Sequence, residues 1–81
     1  MLDEDRLKAV IGVVLKIPAD SVGEETSTDT VSGWDSLRHL NLILALEEAF
    51  AITIPDDEVG NLTSYPLIRI VVAGLAPSHW P

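Results

Sequence analysis

Apolar positions in the first part of the chain recur at the spacing of one helical face: Leu7, Val10, Ile11, Val14 and Leu15. Asp3 stands where an N-cap would, so the pattern predicts a first helix over about residues 3–16. On its opposite side Glu4 and Lys8 are one turn apart and can pair. Pro18 disfavours a helical conformation at Ile17 and ends the run. Residues 19–33, rich in Ser, Thr, Asp, Glu and Gly, then read as a long loop, with Val22 and Val31 as the expected anchors onto the body.

The helical period resumes after Gly33. Asp35 is a strong N-cap and Ser36 the first residue of a second helix, expected over 36–50. Residues 51–55 turn the chain. Pro55, Asp56, Asp57 and Glu58 then open a short third helix, about 56–60, where the helix dipole favours acids. Thr63 or Ser64 caps a last helix over 64–75, whose expected buried stripe is Leu67, Ile68, Val71, Val72 and Leu75. Pro66 is tolerated in its first turn. The order predicts an all-α fold of four helices with a long first loop and a short third helix.

The second helix carries two apolar stripes. His39, Leu42, Ile43, Leu46, Ala49 and Phe50 share one arc, broad enough to be a core face. Leu37, Leu40 and Leu44 fall on another, together with Ser36, Asn41, Glu47 and Glu48. Either this helix is buried nearly all round, or its second stripe is a docking surface whose apolar part gives affinity and whose acids give orientation. Glu47, Glu48, Asp56, Asp57 and Glu58 would extend the acidic rim.

Composition narrows the function. Thirteen acidic residues against five basic give a net charge of -8, which a phosphate backbone repels, so nucleic acid is disfavoured and basic protein surfaces are the natural partners. With 47% hydrophobic but only 5% aromatic residues, the core must be built mainly from Leu, Ile and Val. Without cysteine, any sulfur chemistry must come from an added group. The acidic N-terminus is unlike a signal peptide and no apolar stretch is long enough to span a bilayer, which leads to the expectation of a cytoplasmic protein with no membrane association. Three consecutive acids at 56–58 cannot all face one ion from a helical turn, so no metal site is expected there, and the sequon at Asn61 is inert without secretion.

Gly33-Trp34-Asp35-Ser36-Leu37, then Leu44-Ala45-Leu46-Glu47-Glu48-Ala49-Phe50, then Ile52-Thr53-Ile54-Pro55-Asp56, resemble the acyl carrier protein family over nearly the whole chain. Asp-Ser-Leu alone is a weak signal. Its specificity comes from its place after a long loop, at the head of a helix ending in Leu-Glu-Glu-x-Phe. The resemblance implies a four-helix bundle spanning residues 1–81 as one domain. It implies that Ser36, flanked by Asp35 and Leu37, is esterified by 4'-phosphopantetheine from coenzyme A, through a phosphopantetheinyl transferase that uses magnesium. It further implies that acyl groups ride on this arm as thioesters. Leu37, Leu40 and Leu44 would contact acyl-activating, synthase or acyltransferase enzymes, with Asp35, Glu47, Glu48 and Asp56 meeting their basic residues.

No His or Lys is placed by sequence to activate Ser36, and His39 lies on the core arc, so the chain reads as a substrate and shuttle, not an enzyme. The second helix begins Arg38-His39-Leu40-Asn41, less acidic than in many carriers of fatty acid synthesis, which points to a specialised biosynthetic pathway. An exposed apolar face kept free for successive partners implies a monomer, and the initial Met1 with an intact first helix leads to the expectation of a complete stand-alone protein. Two other readings stand beside this one: an aminoacyl or peptidyl carrier, and an unmodified helical docking domain.

Overall fold

The computed structural model describes residues 3–75; the tail at 78–81, in which the sequence carries no readable message, lies outside them. Four α-helices form along it: α1 Glu4–Leu15, α2 Ser36–Phe50, α3 Asp56–Val59 and α4 Tyr65–Leu75. A single 3-10 turn, Ala19–Ser21, lies in the first loop. The described residues contain no strand, only an isolated antiparallel bridge between Ser27 and Ser64.

Helix ends explain where the boundaries differ from expectation. Asp3 lies outside α1 as its cap, its Oδ1 accepting from the Arg6 amide at 3.1 Å. Lys16 is not helical but left-handed, at φ 60°, and its amide closes on the Gly12 carbonyl. Pro55 and Gly60 flank α3 from outside, and α4 starts at Tyr65, Ser64 supplying the carbonyl that accepts from the Ile68 amide.

α1 packs along α2, and the core gathers Leu7, Ile11 and Leu15 from α1 with Leu42, Ile43, Leu46 and Phe50 from α2. Ile54 and Leu62, on either side of α3, are buried, whereas α3 itself buries no residue. α4 contributes a narrower strip than expected. Tyr65, Ile68 and Val72 are buried and Val71 is half-buried, but Leu67 and Leu75 are exposed, because only the positions one and two turns apart from Tyr65 meet the bundle.

The expected Glu4–Lys8 pairing is replaced by a tie across the fold. Glu4 Oε1 accepts the Tyr65 hydroxyl at 2.6 Å and lies 3.4 Å from Arg69 Nη1, which is also 3.4 Å from Glu24. The Tyr65 bond, and secondarily Arg69, hold the Glu4 carboxyl below its ordinary range, while burial and Glu4 push the Tyr65 hydroxyl up. The long loop is packed on the body: Val22 is buried, Val31 half-buried, and Thr26 buries its hydroxyl between the Gly23 amide and the Ser21 carbonyl. Thr28 donates its amide to the Thr63 carbonyl and Tyr65 donates its own to Thr26, stitching the loop to the head of α4.

Candidate functional site at the head of the second helix

Ser36 is the first residue of α2 and is exposed. The first turn of any helix leaves amides without intrahelical partners. Here Asp35 takes up one of them, its Oδ1 accepting from the Arg38 amide at 2.9 Å, and its carbonyl accepts from the His39 amide. The first turn of α2 contains no acid.

Leu37, Leu40 and Leu44 are 67%, 54% and 56% exposed. That rules out a helix buried all round, which would hide them. Asn41 and Glu48, which share this arc of the helix, are exposed, and Asp35 and Asp56 are exposed as well. Glu47 is half-buried, and its Oε2 accepts from the Ile54 amide at 2.8 Å, so this acid ties α2 to the segment entering α3. Arg38 is likewise engaged, donating Nη1 to the Val14 carbonyl at the end of α1 at 3.0 Å.

A groove of about 480 Å³ opens beside Ser36, between the head of α2 and the end of α3, with Trp34, His39, Leu40, Val59 and Thr63 among its walls. Trp34 is buried, an anchor that the period of apolar positions does not reveal because it lies in no helix. Its Nε1–H donates to His39 Nδ1 at 3.0 Å, and the rings stack at 28° with centroids 6.1 Å apart. Because Nδ1 is the acceptor, Nε2 carries the proton and donates to the Val59 carbonyl at 2.7 Å. Trp34 and Thr63 are named in the sequence only as part of the motif at residues 33–37 and as a candidate helix cap, and neither they nor Val59 is expected there as a wall of the site; the one available signal is a tryptophan two residues before Ser36. Among the described residues no group of three His, Cys, Asp or Glu side chains could hold a metal ion, and no helix is long and apolar enough to cross a membrane.

Residues 5–66 match the family model for the phosphopantetheine attachment site. An acyl carrier protein of Campylobacter jejuni subsp. doylei is 43% identical over 58 residues, which are 72% of this chain and 75% of that protein. The solution NMR structure of a holo acyl carrier protein from Geobacter metallireducens is similar with a TM-score of 0.83 and 26% identity, covering 100% of this chain and 97% of that one. A helical bundle of this shape, a motif set of this order and these two likenesses agree: the chain belongs to the acyl carrier protein family, non-enzymatic carriers that bear a phosphopantetheine prosthetic group.

Proposed function

We propose that Ser36 is the attachment point of the arm and that the protein carries acyl thioesters for a specialised biosynthetic pathway. The observation that carries this reading is the exposed hydroxyl-bearing residue at the head of α2, with an open groove beside it that Leu40 helps to wall and with Leu37, Leu40 and Leu44 exposed along the same helix. A phosphodiester at this position suits the free amides and positive end of the helix dipole, and it projects the arm away from the core. Asp35 opposes the added charge through space but has its carboxylate turned to the Arg38 amide.

Leu37, Leu40 and Leu44 form the docking face, Glu48 and Asp56 its acidic rim, and Asp35 lies next to the modified residue. Glu47 acts first as a structural tie and contributes to the rim only through its charge. The absence of acids from the first turn of α2 supports a role apart from housekeeping fatty acid synthesis. The partners are a phosphopantetheinyl transferase and acyl-loading or acyl-consuming enzymes whose contact surfaces join an apolar patch to basic residues. The described helices act as one carrier domain, monomeric and cytoplasmic.

Incubation with coenzyme A, magnesium and a broad-specificity phosphopantetheinyl transferase tests the attachment by intact mass, with Ser36→Ala alongside. One phosphopantetheine on the parent and none on the variant is expected. A folded parent that takes none, with the transferase active on another carrier, would remove the arm from Ser36. Loading by acyl-activating but not aminoacyl-activating enzymes is the result expected for the acyl reading.

A further inference from the structure

The residue before the cap of α2 is joined to a residue one turn inside the helix. Trp34 precedes the cap Asp35, Ser36 opens α2 and His39 is its fourth residue. These are the two places where an apolar pair commonly staples a chain to the helix it enters and fixes the entry angle. Here the staple is also polar: the indole and imidazole rings stack at 28°, and the Trp34 Nε1–H donates to His39 Nδ1 at 3.0 Å. Trp34 is buried, its amide donates to the Val31 carbonyl at 3.1 Å, and the Asp35 amide donates to the Gly33 carbonyl at 3.0 Å. The residues before Ser36 are therefore anchored to the first loop as well. His39 Nε2–H in turn donates to the Val59 carbonyl at 2.7 Å, which refers the same pair to the end of α3. Ser36 is exposed, so the direction of its hydroxyl is set by this backbone and not by packing around the side chain.

We propose that Trp34 and His39 are positioning residues for the modification of Ser36: their staple sets the angle at which the chain enters α2, and with it the line along which the hydroxyl meets coenzyme A in the transferase. The proposal rests on attachment of the arm at Ser36. In that step Ser36 Oγ attacks the phosphorus that carries the pantetheine of coenzyme A. A P–O bond to the serine forms, the bond from that phosphorus to the bridging oxygen breaks, and the adenosine bisphosphate leaves with the electron pair while the hydroxyl proton passes to a base of the transferase. Attacking oxygen, phosphorus and leaving oxygen stand in line, and a misplacement of about 1 Å costs roughly 10²-fold in rate. Neither Trp34 nor His39 takes part in the bond changes; both act through the backbone. Without their bond the cap of α2 remains, because Asp35 still accepts from the Arg38 amide, but the chain before it is free to swing. Loss of the staple therefore slows the bound complex, whereas loss of the leucine face weakens docking.

The test follows modification by intact mass, with coenzyme A, magnesium and a broad-specificity phosphopantetheinyl transferase in excess over the carrier. This gives the maximal single-turnover rate and the half-saturating transferase concentration separately. Trp34→Phe keeps a ring and removes the donor; it should lower the maximal rate by about tenfold, within the range that misaligned reacting groups cost, and leave the half-saturating concentration within about twofold. His39→Leu removes both bonds and should lower the rate at least as far. His39→Asn, whose side-chain oxygen can stand where Nδ1 stands, should recover most of the parent rate. Ile11→Val, which takes a buried methyl from α1 and leaves the staple intact, is the control for stability: it should unfold at a lower urea concentration than the parent and be modified at the parent rate. Circular dichroism fixes an assay temperature at which the variants are folded, and Trp34→Phe with Ile11→Val carry the test if His39→Leu does not fold. A maximal rate unchanged by Trp34→Phe, a loss confined to the half-saturating concentration, His39→Asn as slow as His39→Leu, or an equal loss in Ile11→Val would overturn the positioning role while leaving the attachment intact. A folded parent that takes no arm, with the transferase active on another carrier, would instead remove the attachment on which the role rests.

Discussion

Replacing Ala51 by glycine should stabilise the protein, although the same exchange in the middle of a helix does the opposite. Ala51 ends α2 in the left-handed region at φ 55° and ψ 46°, with its amide on the Glu47 carbonyl, and the Ile52 amide bonds the same carbonyl at 3.1 Å. An L-residue with a Cβ meets a penalty of about 1–2 kcal/mol there. Glycine removes it but gains freedom in the unfolded chain, at a cost of roughly 0.5–1 kcal/mol. Ala51 is exposed, so no packing is lost with its methyl. The net expectation is a gain of about 0.5–1 kcal/mol, or a rise in Tm of roughly 2–8 °C for a domain of this size. Ala9→Gly, at an exposed position inside α1, is the control and should lose about 0.5–1 kcal/mol. Urea unfolding followed by circular dichroism measures both. If Ala51→Gly destabilises as Ala9→Gly does, the left-handed cap is not strained and the reasoning fails.

Gly12→Ala should be among the most damaging small changes, because an added Cβ would lie 2.7 Å from the Ile17 carbonyl oxygen and 3.3 Å from the Ala19 amide nitrogen, both backbone. A loss of about 1–3 kcal/mol in urea unfolding is expected, and a neutral result would mean that the turn after α1 can move aside. Leu40→Ala and Leu44→Ala should leave stability within about 0.5 kcal/mol, since both side chains are exposed. They should lower kcat/KM with a phosphopantetheinyl transferase by about tenfold if docking is centred on them, a factor equal to about 1.4 kcal/mol; unchanged kinetics would place the interface elsewhere. For Glu4 the folded carboxyl titrates below its ordinary 4.5, so its contribution is full above that pH and is lost as acid protonates it in the folded state. Stability of the parent should therefore fall toward that of Glu4→Gln as the pH drops below about 4.5, and two curves that stay parallel would show that the Tyr65 and Arg69 contacts do not form in solution.

The order and extent of the helices were legible because caps and periods are local. Asp3 and Asp35 cap as their residue type and position dictate, and α2 runs from Ser36 to Phe50 as expected. Anchors outside regular elements were not legible. Trp34, Ile54 and Leu62 are buried in loop segments, where no period marks a face, and Tyr65 displaced Leu67 and Leu75 from the stripe assigned to α4 because a terminal helix presents only a narrow edge to the bundle. Glu4 could be paired from sequence only within its own helix; the Tyr65 hydroxyl that takes it comes from 61 residues away. The same limit governed the site. The head of α2 and its leucine stripe are patterns within one helix, whereas the groove beside Ser36 exists only where the first loop, α2 and α3 meet.

Charge counted along the sequence also misstates the charge that a partner meets. Arg38 and Glu47 both lie on α2 beside the leucine stripe, yet each is turned to a backbone group, Arg38 to the Val14 carbonyl and Glu47 to the Ile54 amide. Arg38 thereby helps close the end of α1 against α2, and Glu47 helps hold α3. What remains outward on α2 is Leu37, Leu40 and Leu44, with Asn41 and Glu48 beside them. On the proposed docking reading, such a face would give a partner apolar area to bury at its centre and few charges to pair, so the acids scattered over the rest of this strongly negative chain would act mainly over distance, raising the rate of encounter with a basic surface. Specific recognition would then rest on the three leucines and on the geometry at Ser36, with Arg38 and Glu47 contributing by holding that geometry.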